Sequence, residues 1–160
     1  MSDTSVKLRP GECVLDLEYK PGIIADLVSR GGPWAFKSSG INDERFPIER
    51  REGVVSVRFV VIPGLELFNK RRYMIRRYWF EECLGKKGMR LPNAAEALLF
   101  IASDHQRGEE TPLTAFVSGD SKSILCVAPN PKGGRNLNRT DRGVGYYPKH
   151  NYLAVVVDAQ

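Results

Sequence analysis

The nine residues from Val54 to Ile62, Val-Val-Ser-Val-Arg-Phe-Val-Val-Ile, constrain the fold more than any other stretch of the chain. Side chains branched at Cβ lose rotamer freedom in a helix and pack well on a pleated surface, and Pro63-Gly64 stops the run. A strand cannot satisfy its own backbone N–H and C=O groups, so this one requires neighbours, and its apolar character predicts a central position. Four further runs can supply partners: Cys13 to Leu17, Leu113 to Ser118, Ser123 to Ala128 and Tyr152 to Val157. Gly119-Asp120-Ser121 is a suitable hairpin turn between the second and third of these.

Between the strands the apolar period changes. Ile23, Ile24, Leu27 and Val28 fall on one helical face, which Gly31-Gly32-Pro33 ends, because glycine accepts a left-handed conformation and proline cannot continue a helix. From Asn69 to Leu84, Met74, Ile75, Tyr78, Trp79 and Cys83 recur at helical intervals, with Gly85 as the stop. From Asn93 to Asp104 a third helix is predicted. Asn93 caps its first turn while Glu96 reaches back, and Ala94, Ala97, Leu98 and Ile101 form its core face. Trp34 to Arg51 has no steady period and is expected to be an ordered loop anchored by Trp34, Phe36, Ile41 and Phe46. Strands and helices in this order imply an α+β domain.

At 160 residues and 42% hydrophobic content the chain matches one domain, 1–160, with no repeat or linker. No apolar run is long enough to cross a bilayer, and the first residues lack the basic-then-apolar order of a secretion signal, so a cytoplasmic protein without membrane contact is expected. Cys13, Cys83 and Cys126 are widely spaced and suggest reduced, partly buried thiols. The net charge of +5 is concentrated from Lys70 to Arg90, where eight basic residues face only Glu81 and Glu82. Such a segment could track phosphates, and a solvated helix surface accounts for the same residues.

No catalytic constellation emerges. His105 and His150 have no adjoining carboxylate and nucleophile in a recognisable spacing, Glu109 and Glu110 belong to no metal-ligand pattern, and Cys126 lies in the apolar run Ile124-Leu125-Cys126-Val127. Neither a metal nor a cofactor is expected. The stretch from Pro129 to Lys149 is too long for a tight turn and too polar for core, which predicts a binding loop separable from folding. Its glycines, Gly133 and Gly134, could bring backbone N–H groups to an anion, Arg135, Arg139 and Arg142 are forked donors, and Tyr146 and Tyr147 offer flat faces. With Asn136, Asn138 and His150 these form the candidate ligand-binding set. Replacing the three arginines together is expected to leave the thermal midpoint nearly unchanged.

The segment Glu81 to Leu98, with Arg90-Leu91-Pro92 followed by Asn93, Ala95 and Glu96, resembles the helix, turn and helix of C-type-lectin-like domains. The nearest branch is that of formylglycine-generating enzymes and Lcl C-terminal-like domains. It also resembles uncharacterised bacterial proteins with a similar turn and a Leu153-Ala154-Val155 ending. The resemblance covers the second half of the chain. It implies helices packed on a small antiparallel sheet, paired strands after the second helix, a closing strand near residue 155, and structural roles for Arg90 and Glu96. The reactive cysteine pair of those enzymes is missing, as are the calcium ligands of sugar-binding lectins, so neither activity is implied. The function expected is that of a non-enzymatic binding or interaction module for a protein or small anionic ligand. The alternative is a nucleic-acid-binding protein using the basic helix and the Arg-rich loop.

Overall fold

The computed structural model describes residues 12–63, 77–103, 113–116, 124–140 and 152–157. Among the described residues, eight strands and three helices run in the order β1 (Glu12–Tyr19), α1 (Ile23–Gly31), β2 (Phe36–Lys37), β3 (Gly53–Pro63), α2 (Arg77–Lys86), β4 (Met89–Arg90), α3 (Ala94–Ser103), β5 (Leu113–Phe116), β6 (Ile124–Pro129), β7 (Arg135–Thr140) and β8 (Tyr152–Val157). The class is α+β. All eight strands join one sheet in the order β1-β3-β8-β5-β6-β7-β2, with β4 also paired to β8. The sheet is mixed rather than antiparallel: β5 runs parallel to β8, and β2 parallel to β7.

The β-branched run occupies β3, held between β1 and β8. Its alternate residues Val57 and Phe59 are buried on the face covered by the helices, together with Leu17 and Tyr19 of β1, Ala154 and Val156 of β8, Leu125 and Val127 of β6, and Leu137 of β7. Phe100 of α3 packs on Phe59 with ring centroids 5.2 Å apart and planes tilted by 44°. The opposite face differs along its width. Val54 and Val14 are exposed at the β1–β3 end, whereas Val155 is fully buried in β8. Burial of a leucine or phenylalanine in such a core contributes about 1.5–3 kcal/mol each, so the sheet–helix layer dominates stability.

Helix α1 ends at Gly31 as expected, but Gly32 is extended, not left-handed, and its N–H donates to the Ser29 carbonyl at 3.2 Å. Its N-terminus is completed from a distance, since Asp43 accepts from the N–H groups of Ile24 at 3.0 Å and Ala25 at 3.2 Å. Of the helix expected from Asn69 to Leu84, residues 69–76 lie outside the described residues; the described part passes through Gly85 and stops at the turn after Lys86. Gly88, at φ +71°, supplies the left-handed position that the sequence pattern assigns to Gly85.

Helix α3 carries the capping box expected of its first residues. The Glu96 N–H donates to Asn93 Oδ1 at 2.8 Å, and the Asn93 N–H donates back to Glu96 Oε2 at 3.1 Å. Its periodicity predicts one buried face, yet every residue from Ala94 to Ala102 is buried. Leu99, Phe100 and Ala102 extend the apolar surface around the helix, and an element apolar on all sides takes an interior position. The loop from Trp34 to Arg51 is anchored by buried Ile41 and Phe46, but Phe36 lies on an exposed two-residue strand. Among the described residues no helix is long and apolar enough to cross a membrane.

Candidate functional site

From residue 130 to 140 the segment after β6 is not an open loop, and residues 141–149 lie outside the described residues. Asn130 to Gly134 form a tight turn: the Gly133 N–H donates to the Asn130 carbonyl at 2.9 Å, the Asn130 N–H to the Gly134 carbonyl at 3.0 Å, and the Lys132 N–H to Asn130 Oδ1 at 2.8 Å. Gly133 and Gly134 take φ of +101° and +75°, the conformations such a turn demands. Residues 135–140 then return as β7, antiparallel to β6, with Leu125 opposite Arg139 and Val127 opposite Leu137. The turn engages the Lys132 and Gly133 amide protons with its own atoms, so these two do not cradle an anion.

Strand geometry separates the expected site residues. Arg135, Leu137 and Arg139 point to the helix side, Asn136 and Asn138 to the other. Arg135 is 3% exposed, which overturns its place on a solvent-facing loop. Its Nη2 donates to the carbonyls of Gly31 at 2.7 Å and Ile101 at 3.1 Å, at the C-terminal ends of α1 and α3. Its guanidinium also lies over the Trp34 ring, 4.7 Å from the centroid, while Trp34 Nε1 donates to the Val28 carbonyl at 2.8 Å. A permanent cation at two negative helix ends and over an aromatic face is a structural arrangement. Arg139 is half-buried, with Nε on the Ser39 carbonyl at 3.3 Å and its backbone N–H on Ser38 Oγ at 3.1 Å. Arg142, Tyr146, Tyr147 and His150 lie outside the described residues, as do His105, Glu109 and Glu110.

A different group of side chains shares the face of Asn136 and Asn138. Phe36 of β2 stands in register with Asn136 and is 53% exposed. Asn136 Oδ1 accepts from Asn130 Nδ2 at 2.9 Å, which fixes that amide. Asn138 is half-buried, and among the described residues its carboxamide has no hydrogen-bond partner. Lys132 is exposed in the turn, whereas Lys37, also exposed, stands in register with Leu137 and so projects to the helix side. Residues 34–41 and 124–140 contain Lys37, Lys132, Arg135 and Arg139 and no carboxylate. The other end of the sheet is acidic, with Glu12, Asp16 and Glu18 on β1 against Arg58 of β3.

The basic segment from Lys70 to Arg90 is described from residue 77 onward. There Lys86 lies 3.8 Å from Glu82, and Arg90 makes a two-pronged contact with Glu96 at 2.8 and 2.9 Å. Glu96 is 4% exposed, so this pair is buried on its acidic side and serves the turn into α3, the structural role implied for both residues. Cys13, Cys83 and Cys126 are half-buried and form no disulfide. Among the described residues no group of three or more His, Cys, Asp or Glu gathers as a metal-binding set.

Sequence reasoning missed Phe36, which its aromatic character assigns to the core. The available signal was its place between Ala35 and Lys37 in a stretch without period, where nothing dictates that an aromatic face inward. It missed β7 because Arg-Asn-Leu-Asn-Arg-Thr holds one apolar residue, although the alternation of Arg, Leu and Arg with two asparagines has the strand period of two. Comparison of the chain with protein-family models, with curated proteins and with solved structures gives no match.

Proposed function

We propose that this chain is a non-enzymatic binding module whose contact surface is the β2–β7 end of the sheet, on the face of Phe36, Asn136 and Asn138. One observation carries the proposal: a half-exposed aromatic ring stands in register beside an amide row in which Asn138, among the described residues, has its donors and acceptor unengaged. Binding sites combine apolar contact area with a few fixed polar groups, and this surface has both on a rigid sheet. The Asn130–Asn136 bond and the self-contained turn hold it in one shape before any ligand arrives.

The finer fold assignment, a C-type-lectin-like domain, belongs to the same proposal. It is supported by the Arg90–Glu96 pair, the capping box at Asn93 and the late strand β8 between β3 and β5. A cytoplasmic setting is part of it too, since half-buried thiols that form no disulfide suit a reducing compartment.

The second reading, nucleic-acid binding, loses part of its basis in the basic segments. Arg135 is in the core, and Arg90 and Lys86 face carboxylates.

The contact surface is tested by comparing the chain with its Phe36→Ala/Asn138→Asp variant on arrayed oligosaccharides, peptides and oligonucleotides. Whichever class binds the parent should bind the variant at least about tenfold less, as expected for removal of a central anchor. Undiminished binding by the folded variant would place the surface elsewhere.

A further inference from the structure

We infer that the outer edge of β1 is a docking strand for an extended segment of a partner protein, one whose side chains alternate between Lys or Arg and apolar residues and which adds to the sheet as a further strand. The contact lies at the end of the sheet opposite the surface proposed above and does not depend on that reading.

The two edges of the sheet are finished differently. At one end β2 is two residues long and offers little backbone for another chain to pair with. At the other end β1 runs eight residues in unbroken antiparallel register with β3, and among the described residues no strand lies on its other side. It contains no proline, lysine, glycine or bulge to deter pairing. Every second residue of such a strand directs its N–H and C=O away from its one partner, so the edge presents donors and acceptors to an incoming strand.

Side chains decide which strand fits. The outward row is Glu12, Val14, Asp16 and Glu18. Glu12 is paired with Arg58. Asp16 and Glu18 are exposed and have no ion-pair partner among the described residues; Asp16 accepts only from the Ser56 hydroxyl, at 2.6 Å. Toward the helices Leu17 and Tyr19 are buried, whereas Cys13 and Leu15 are half-buried and can accept further apolar cover. An added strand alternates faces in the same way, so one set of its side chains meets carboxylates and the other meets apolar residues. Cations opposite Asp16 and Glu18, with aliphatic residues opposite Cys13, Leu15 and Leu17, complete both faces.

A second copy of the chain fits this edge poorly. An antiparallel β1–β1 pair with its two-fold axis at residue 14, 15, 16 or 17 sets Glu12 opposite Asp16, Glu12 opposite Glu18, Asp16 opposite itself, or Asp16 opposite Glu18, respectively. Like charges directly opposite destabilise strand pairing. The β2 edge of another copy offers two residues against eight. The acidic row therefore discourages self-pairing along an open edge and leaves it to a basic strand.

Fluorescence polarisation with a labelled, end-capped peptide Ser-Val-Lys-Val-Lys-Val-Ser and its Glu-for-Lys counterpart tests the inference. Saturable binding of the Lys peptide alone is expected. Asp16→Lys/Glu18→Lys should weaken it about tenfold or more and confer binding of the Glu peptide, since attraction and repulsion are exchanged at both positions. Both side chains are exposed, so the variant should keep the parent thermal midpoint, measured alongside. Successive residues of a strand point their N–H groups to opposite edges, so N-methylation of either the valines or the lysines should abolish binding while methylation of the other set spares it. On titration, amide shifts should centre on residues 12–19. No saturable binding by the parent, equal effects of the two methylations, or shifts centred on 36 and 136–138 overturns the inference. Sedimentation of the parent alone should show a monomer; a dimer that the Lys peptide dissociates would make a second copy the occupant and overturns it too.

Discussion

Arg135 joins two helices that have no covalent connection near it. The carbonyls of Gly31 and Ile101 both receive its Nη2, and the Trp34 ring shields the guanidinium from water. Removing the side chain leaves two buried acceptors short of a donor and opens space beside Trp34. Arg135→Ala is therefore expected to cost about 3 kcal/mol, a fall of roughly 10 °C in the thermal midpoint for a chain of this size, measured by thermal unfolding. A change within about 2 °C would show that these bonds contribute little net energy. Arg139, closer to solvent and held to the Ser39 carbonyl by a longer bond, should tolerate the same change with well under half that loss. Nothing in the letters Gly-Gly-Arg-Asn-Leu-Asn-Arg separates these two arginines. Their roles are set by what lies across the sheet from each, and that depends on the register of β7 with β6.

Among the elements, those that announce themselves are the ones whose side chains alone decide the conformation. β1, α1, β3, α3 and β8 carry apolar residues at a period of two or near 3.6, and each forms close to its expected bounds. The elements that escape such a reading depend on a partner. β2 is two residues long and exists because β7 accepts it, and β7 is polar because it lies beside the sheet edge, where one face meets solvent. The same dependence governs α1, whose first amides are met by Asp43 from the irregular segment beyond it. Asp43→Ala should lower stability by about 1 kcal/mol and speed hydrogen exchange at the amides of Ile24 and Ala25. Unchanged exchange at those two amides would mean that the cap is replaced by water without loss.

For the whole molecule, one sheet contains every described strand, and α1 and α3 pack on a single face of it. Core residues come from both ends of that sheet, from Leu17 to Leu137, so neither half can keep its packing alone. Unfolding should follow one cooperative transition in which far-ultraviolet circular dichroism and aromatic fluorescence coincide. Two separated midpoints would instead reveal independently stable halves. The candidate site is less legible at this scale than the fold, because it joins a ring from residue 36 to amides near residue 138, and only the parallel pairing of β2 with β7 brings them together.

The position of β8 bears on how the chain is born. Among the described residues, strands β1 and β3 on one side, and β5, β6, β7 and β2 on the other, are joined within the sheet only through β8, which pairs with β3 by one edge and β5 by the other. A ribosome delivers residues 152–157 after all of them. Until that moment the growing polypeptide has two part-sheets with facing open edges, each a template for another chain. Speed of synthesis over the last stretch, and shelter by chaperones during it, would therefore matter more for this protein than for one whose central strand is made first.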